Sequence, residues 1–157
     1  MRRDPLYSQF LDGLGQETVN MIRRRTLKGI DVNGKRFKKL DPEFAKIKGT
    51  TKRKLSSSGD PTKGMLGAIA FKKLGFKVVI YVKKVMGVSG YGHPYNRYIV
   101  AEVHNFGMIS GRRSKGRFRM ARSYFFGLNS KERQKLKGMA FENFRRFIET
   151  FRVKFWI

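Results

Sequence analysis

The apolar pattern of the last third of the chain limits the fold more than any other feature of the sequence. Apolar residues recur there at spacings of three or four, at Leu136, Met139, Ala140, Phe144, Phe147, Ile148 and Phe151. This spacing places them on one face of an α-helix. Asn129 and Glu132 precede the pattern as a capping box does, with Asn in the position of the usual hydroxyl residue. We therefore expect a long C-terminal helix that packs this face into the core.

The first 29 residues predict a second long helix. Asp4 is a suitable cap and Pro5 suits the first helical position, where its missing N–H costs nothing. Leu6, Phe10 and Leu14 recur at four-residue spacing, and Leu11, Met21 and Ile22 widen this stripe, which indicates a buried face. Three arginines at 23–25 fall in the last turns, where cations oppose the helix dipole, and a glycine at 29 ends the helix.

The middle of the chain predicts strands. Residues 65–71 and 76–82 are two β-prone runs, and we expect them to form an antiparallel hairpin around 72–75. Asn33-Gly34 predicts a tight turn and Asp41-Pro42 the start of a short helix to about residue 48. Residues 86–94 predict a loop, Asn96 to His104 a helix with Tyr95, Ile99 and Val103 on its inner face, and residues from about 117 to 126 a further strand.

These elements together predict an α+β fold, with long N- and C-terminal helices packed on a small antiparallel sheet. A chain of 157 residues suits one domain, and we expect residues 1–157 to form it. Two segments within it are rich in cations and turn formers. We expect a flexible basic loop at about 49–63 and a second basic loop at about 107–117.

The charge balance restricts the partners. The chain has 36 Lys and Arg against 11 Asp and Glu, a formal net charge of +25. Such a surface attracts polyanions, whether nucleic acid, an anionic membrane or an acidic protein surface. The apolar stretches are too short to cross a bilayer and no secretory signal is visible, so no membrane association is expected. The absence of cysteine excludes disulfides and thiolate metal sites.

The sequence shows no pattern of catalytic residues. His93 and His104 have no acidic partner at metal-ligand spacing, and Gly90-Tyr91-Gly92 lacks the rest of a dinucleotide-binding fingerprint. Neither a P-loop nor a nucleophile elbow is present. We therefore expect that the protein is not an enzyme and that it needs neither a cofactor nor a metal.

Two groups of residues are candidate contact sites. The basic loop provides cations for DNA or for an acidic partner, at Arg112, Arg113, Lys115, Arg117 and Arg119. Such contacts would neutralise phosphates without reading sequence. The apolar C-terminus and one arginine beside an aromatic run are candidate assembly residues, at Phe151, Phe155, Trp156, Ile157 and Arg122. The alternative for the C-terminus is that it folds back onto the core.

Three segments resemble the phage virion morphogenesis, or tail completion, protein family. The first is Ile22 to Phe37, where Arg25-Thr26 is followed by Gly29-Ile30-Asp31, and it continues into residues 40–48. The second is Val103 to Gly107, which is similar to the family's His-x-Phe-Gly element. The third is Ala121 to Asn129, which is similar to its Pro-Arg-x-Phe-Phe-Gly-Leu-Ser segment, with Ala and Asn at its first and last positions.

The resemblance implies a structural protein of a tailed phage or prophage. It would act in tail completion or at the neck, where head and tail join, as a ring at the head-proximal end of the tail. It implies that the chain binds copies of itself with six-fold symmetry or a multiple of it, and that it binds neighbouring neck, connector or tail-tube proteins. The basic excess would face genome DNA in the channel or acidic neighbours. Its location would be the virion, and the host cytoplasm during assembly.

A second interpretation belongs to a different class of function. The same charge suits a non-specific nucleic-acid-binding protein, such as a ribosome-associated or packaging factor. An oligomer in nucleic-acid-free buffer favours assembly. A monomer that binds nucleic acid with a steep salt dependence favours the alternative.

Overall fold

The computed structural model describes residues 5–39, 42, 64–75, 77–88, 94–106, 108–109, 119–120 and 124–154. The helices are α1 (Pro5–Leu27), α2 (Gly64–Gly67), α3 (Arg97–Phe106) and α4 (Ser130–Lys154). The strands are β1 (Ile69–Leu74), β2 (Lys77–Val82), β3 (Met86–Val88), β4 (Pro94–Asn96), β5 (Met108–Ile109) and β6 (Arg119–Met120). The fold is α+β, as the sequence predicts. The predicted helix at 42–48, apart from Pro42, and the predicted loop at 49–63 lie outside the described residues.

The strands form three separate antiparallel pairs, β1 with β2, β3 with β4 and β5 with β6. The prediction that residues 117–126 extend the first hairpin is therefore wrong. Only Arg119–Met120 is a strand in the described part of that range, and it pairs with Met108–Ile109, inside the predicted loop at 107–117. Residues 124–126 run without strand pairing, because the backbone N–H and carbonyl groups there bind side chains and a neighbouring turn instead.

The first helix ends as predicted. Gly29 has a φ of 70°, a conformation that glycine adopts without strain, and its N–H donates to the carbonyl of Thr26. The predicted tight turn follows at Asn33-Gly34, and Ile30 pairs with Arg36 across it. The buried face of α1 confirms part of the predicted stripe, since Leu11, Met21 and Ile22 are buried together with Val19, whereas Leu6 is exposed.

The central hairpin is shifted along the chain relative to the prediction. Residues 65–67 belong to the short helix α2, so β1 begins only at Ile69, and its pairing extends to Leu74, opposite Lys77. Phe71 pairs with Ile80, and both pack against the core from the side that faces α1. The next side chains along each strand point to the opposite face.

Two further predictions are corrected. The range 86–94, expected to be a loop, contributes β3 and the first residue of β4. In α3, Ala101 is the residue buried in the core, whereas Ile99 is 56% exposed rather than facing inward. The pairing of β3 with β4 continues directly into α3, because Arg97 N–H donates to the Val85 carbonyl at 3.0 Å.

The core lies where α1, α2, β1 and α3 meet the segment that precedes α4. Its buried members are Val19, Ile22, Met65, Leu66, Ile69, Ala101 and Phe125. Phe125 is fully buried although it belongs to no helix or strand. The expectation that the apolar stripe of α4 is a main part of this core is wrong for Phe144, which is 60% exposed.

Candidate assembly and polyanion-binding surfaces

Most of the residues predicted to form contact sites lie outside the described part of the chain. Arg112, Arg113, Lys115, Arg117 and Arg122 do so, as do Phe155, Trp156 and Ile157. Arg119 lies in β6 and Phe151 in α4, where the structure describes the backbone alone. These residues therefore remain predicted contacts, and the described residues present three other features.

The first feature is a buried arginine that joins α1 to the start of α4. Arg25, only 6% exposed, pairs with the Glu132 carboxylate and donates from Nη2 to the carbonyl oxygens of Phe125 and Gly127, at 2.6 and 2.9 Å. Burial lowers the pKa of Arg25 from its usual value, whereas the charges of Glu132 and Asp31 oppose that shift. The guanidinium keeps its charge, and its planar fork reaches three acceptors at once.

Glu132 also caps its own helix. Its carboxylate accepts a hydrogen bond from the Asn129 N–H at 2.9 Å, and its own N–H donates to Asn129 Oδ1 at 2.8 Å. This reciprocal pair is the predicted capping box, and Asn performs the role of the hydroxyl residue. The same carboxylate therefore caps the N-terminus of α4 and neutralises the buried Arg25.

The three segments that carry the family resemblance meet at this junction. Val32 in the first segment donates its N–H to the Tyr124 carbonyl of the third at 2.6 Å. Asn105 in the second accepts a hydrogen bond from the Phe126 N–H at 3.3 Å. Gly127 has a φ of 134°, and a Cβ there would lie 3.3 Å from the Val32 side chain, so glycine fits this position for two reasons.

The three consecutive arginines at the end of α1 have different partners, because successive helical residues point about 100° apart. Arg23 donates to the carbonyls of Leu66 and Ile69 at 3.0 and 2.9 Å and holds α2 and β1 against α1. Arg24 is exposed and pairs with Glu17. The sequence predicts only their interaction with the helix dipole, and it carries no signal for the two long-range contacts.

The second feature is an apolar groove of about 550 Å³ between the first half of α1 and the second half of α4. Leu6, Phe10 and Leu14 line one side, and Met139 and Phe144 line the other. These residues are members of the two stripes that the sequence predicts to be buried. Phe141, one turn before Phe144, is 69% exposed. The described fold thus leaves parts of both stripes in contact with solvent.

The third feature is a basic surface on the β1–β2 hairpin. No acidic residue occurs between Asp60 and Glu102, whereas this stretch contains Lys63, Lys72, Lys73, Lys77, Lys83, Lys84 and Arg97. Lys73 faces α1, where it contacts Asp12 and Ser8. Lys72 and Tyr81 lie on the other face, with the ammonium group 5.8 Å from the ring centroid. The absence of acidic residues between Asp60 and Glu102 is the sequence signal for this surface. The cations of the 112–122 loop give no indication of it.

The described residues contain neither a cluster of metal-binding side chains nor a membrane-spanning helix. No group of three or more His, Asp or Glu side chains there is arranged to hold a metal ion. No helix in the described ranges has both the length and the apolar character needed to cross a membrane. Comparison with protein-family models, with curated protein sequences and with solved structures gave no match to the chain.

Proposed function

We propose that this chain is a structural subunit of a tailed phage that acts in tail completion or at the neck. In this proposal it assembles as a ring, six-fold or a multiple, at the head-proximal end of the tail, and contacts neighbouring neck, connector or tail-tube proteins. It performs no chemical step and uses no cofactor. Its basic surfaces face genome DNA in the channel or acidic neighbouring subunits.

The apolar groove carries the assembly role. A groove lined by Leu6, Phe10 and Phe144 on an otherwise highly charged surface is typical of a surface that a partner covers. We assign this place to a second copy of the chain. A contact between unlike surfaces of identical subunits closes into a ring when the rotation between them allows it.

The junction around Arg25 supports the phage assignment. The three resembling segments are far apart in the sequence but are connected by hydrogen bonds in the fold. A pattern whose members form one structural unit has a physical reason to occur together, whereas scattered surface matches have none. The resemblance therefore coincides with the part of the molecule that positions α4.

The role of the groove in assembly can be tested by measuring the oligomeric state, with sedimentation velocity and native mass spectrometry in nucleic-acid-free buffer. We expect an oligomer for the unaltered chain, more complete at higher salt because salt screens repulsion between copies of charge +25. Phe144→Ser should shift it to monomer while the far-ultraviolet circular dichroism stays unchanged. Leu74→Ser, at an exposed apolar residue of the hairpin, is the matched control and should assemble normally.

The second candidate function is non-specific nucleic-acid binding, and the acid-free hairpin surface favours it. This candidate predicts a monomer at every salt concentration tested that binds DNA or RNA without sequence preference. A monomeric unaltered chain would contradict the ring proposal. Equal loss of assembly in the Phe144→Ser and Leu74→Ser proteins would contradict the role of the groove.

A further inference from the structure

A second, polar pocket of about 310 Å³ lies where α1 crosses the end of the β1–β2 hairpin. Its size is at the lower end of the range for ligand sites, about 300–1,000 Å³. Val19 and Ile69, both buried, contribute apolar lining. Polar groups come from Gln16 and Arg23 on α1 and from Lys83 just after β2. No carboxylate lines it.

Arg23 is fixed in position and still has donors to offer. Its Nε and Nη2 groups are used by the carbonyls of Leu66, Gly67 and Ile69. Among the described residues, no acceptor binds Nη1, which carries two further N–H groups. Burial lowers the pKa of Arg23 from its usual value, but a guanidinium remains charged in proteins. Arg23 is thus a cation fixed by its backbone contacts, with the two N–H groups of Nη1 available to a ligand.

The charges that could neutralise this pocket are used elsewhere. Asp12 pairs with Lys73, and Glu17 pairs with Arg24 and Lys135. In the part of the chain that the structure describes, no acidic side chain pairs with Arg23 or Lys83. The Gln16 amide donates one hydrogen bond to Asn20 and keeps a second N–H. Two cations and an amide donor without a counter-charge are the chemistry of an anion site.

We propose that the Arg23–Lys83 pocket binds one phosphate group of a nucleic-acid backbone. Beyond the pocket, Lys72 and Lys77 continue a basic surface along an acid-free hairpin, which suits a chain of phosphates better than a single free anion. The Nε and Nη2 groups of Arg23 are already bound to backbone carbonyls, so Arg23 cannot make the bidentate contact that reads guanine, and the site offers little to read a base edge. It holds a phosphodiester in place without selecting sequence. This site does not depend on the proposed ring.

The test compares two adjacent lysines of equal charge. Lys83 lines the pocket, whereas Lys84 does not and lies with its ammonium group 5.5 Å from the Tyr98 ring centroid. Binding of mixed-sequence 20-base-pair duplexes is measured by fluorescence anisotropy across a salt series. Lys83→Gln should weaken binding about fivefold, as loss of one exposed ion pair does. It should also lower the slope of log K against log salt by about 1, as loss of one phosphate contact does. Lys84→Gln should change the affinity less than about twofold and leave the slope unchanged.

Arg23 is left intact in this test because it also holds α2 and β1. A second measurement uses inorganic phosphate as the probe and follows the Arg23 Nε–Hε and Gln16 amide resonances. Saturable shifts that Lys83→Gln abolishes and Lys84→Gln retains support the site. Equal effects of the two substitutions on the salt slope would show general attraction to the hairpin and overturn the proposal. Phosphate binding in the pocket with duplex binding unchanged in Lys83→Gln would also overturn it, in favour of a free anion as the ligand.

Discussion

At the scale of single residues, Gly15 marks the closest approach of α1 to the hairpin. A Cβ built on Gly15 would lie 2.3 Å from Cδ2 of Phe71, well inside van der Waals contact. Phe71 is in turn packed against the core beside its partner Ile80. The helix therefore accepts a residue of poor helical propensity because only a hydrogen atom fits there.

We predict that Gly15→Ala destabilises the protein by about 1–3 kcal/mol, the usual cost of overpacking a core. Gly13 is the matched control, because it lies in the same helix with nothing within 4 Å of the corresponding Cβ. Gly13→Ala should stabilise the protein by about 0.5–1 kcal/mol, since alanine is the better helix former. Urea unfolding of the three proteins measures both effects. Equal stabilities of the two variants would contradict the close approach.

At the scale of elements, α4 has a well-defined start and an exposed middle. The capping box at Asn129 and Glu132 caps the N-terminus of the helix and, through Glu132, ties it to Arg25. Farther along, the residues from Phe141 to Arg146 are all exposed. Among the described side chains of α4, those of the first three turns are therefore the better packed.

We predict that Asn129→Ala lowers the free energy of unfolding by about 1 kcal/mol, the typical cost of losing an N-cap. Asn129→Ser should retain nearly all of the stability, because serine accepts the same hydrogen bond from the Glu132 N–H. Thermal unfolding followed at 222 nm compares the two. If serine were as destabilising as alanine, the asparagine would have a role beyond capping.

A further contact between α1 and α4 depends on pH. The hydrogen bond from Lys135 chiefly lowers the pKa of Glu17, and Arg24 lowers it further, against a smaller rise caused by burial. A carboxyl whose pKa falls on folding stabilises the native state above its unfolded pKa, and this contribution disappears as the pH falls through the folded pKa. Glu17→Gln should therefore cost less than about 1 kcal/mol near pH 7. Near pH 3 the difference from the unaltered protein should shrink markedly, and a difference that persists there would contradict the ion pairs as its source.

At the scale of the whole molecule, the sequence predicts the elements better than their packing. The two long helices, the turn at Asn33-Gly34 and the capping box follow from local chemistry, and local chemistry is visible in a single sequence. Strands β3 and β4 have only three residues each, and the glycines between them favour a loop prediction equally well. The exposure of Leu6 in α1 and of Phe144 in α4 was not foreseen, because a helical stripe shows which residues share a face but not what covers it.

The candidate sites likewise divide into one that is local in the sequence and one that depends on long-range packing. A cluster of cations such as that at 112–122 is visible directly in the sequence. The Arg23–Lys83 pocket joins residues 60 positions apart, and no local pattern connects them. Its one sequence signal is indirect, the absence of acids between Asp60 and Glu102.

The basic loop predicted at about 107–117 leads to a prediction about DNA binding by the whole molecule. Replacing Arg112, Arg113, Lys115 and Arg117 with Gln should leave folding intact, since exposed charges add little stability. It should also reduce the salt dependence of DNA binding, because fewer counterions are released. The matched control replaces four exposed cations of the α1 end and the following turn with Gln, at Lys28, Lys35, Lys38 and Lys39. Equal slopes for the two quadruple variants would show that net charge, not the loop, governs binding.

The junction around Arg25 also sets an order on the synthesis of the chain. The oxygen atoms that accept its hydrogen bonds belong to Phe125, Gly127 and Glu132, which are 100 to 107 positions later. The ribosome therefore synthesises α1 long before these acceptors. The same delay applies to the core contact of Ile22, because Phe125 in the same cluster is also synthesised late. The core is complete only when translation has passed Glu132. A ring of this subunit would therefore assemble from fully translated chains, because a chain whose translation stops earlier lacks the segment around Phe125 that completes the core.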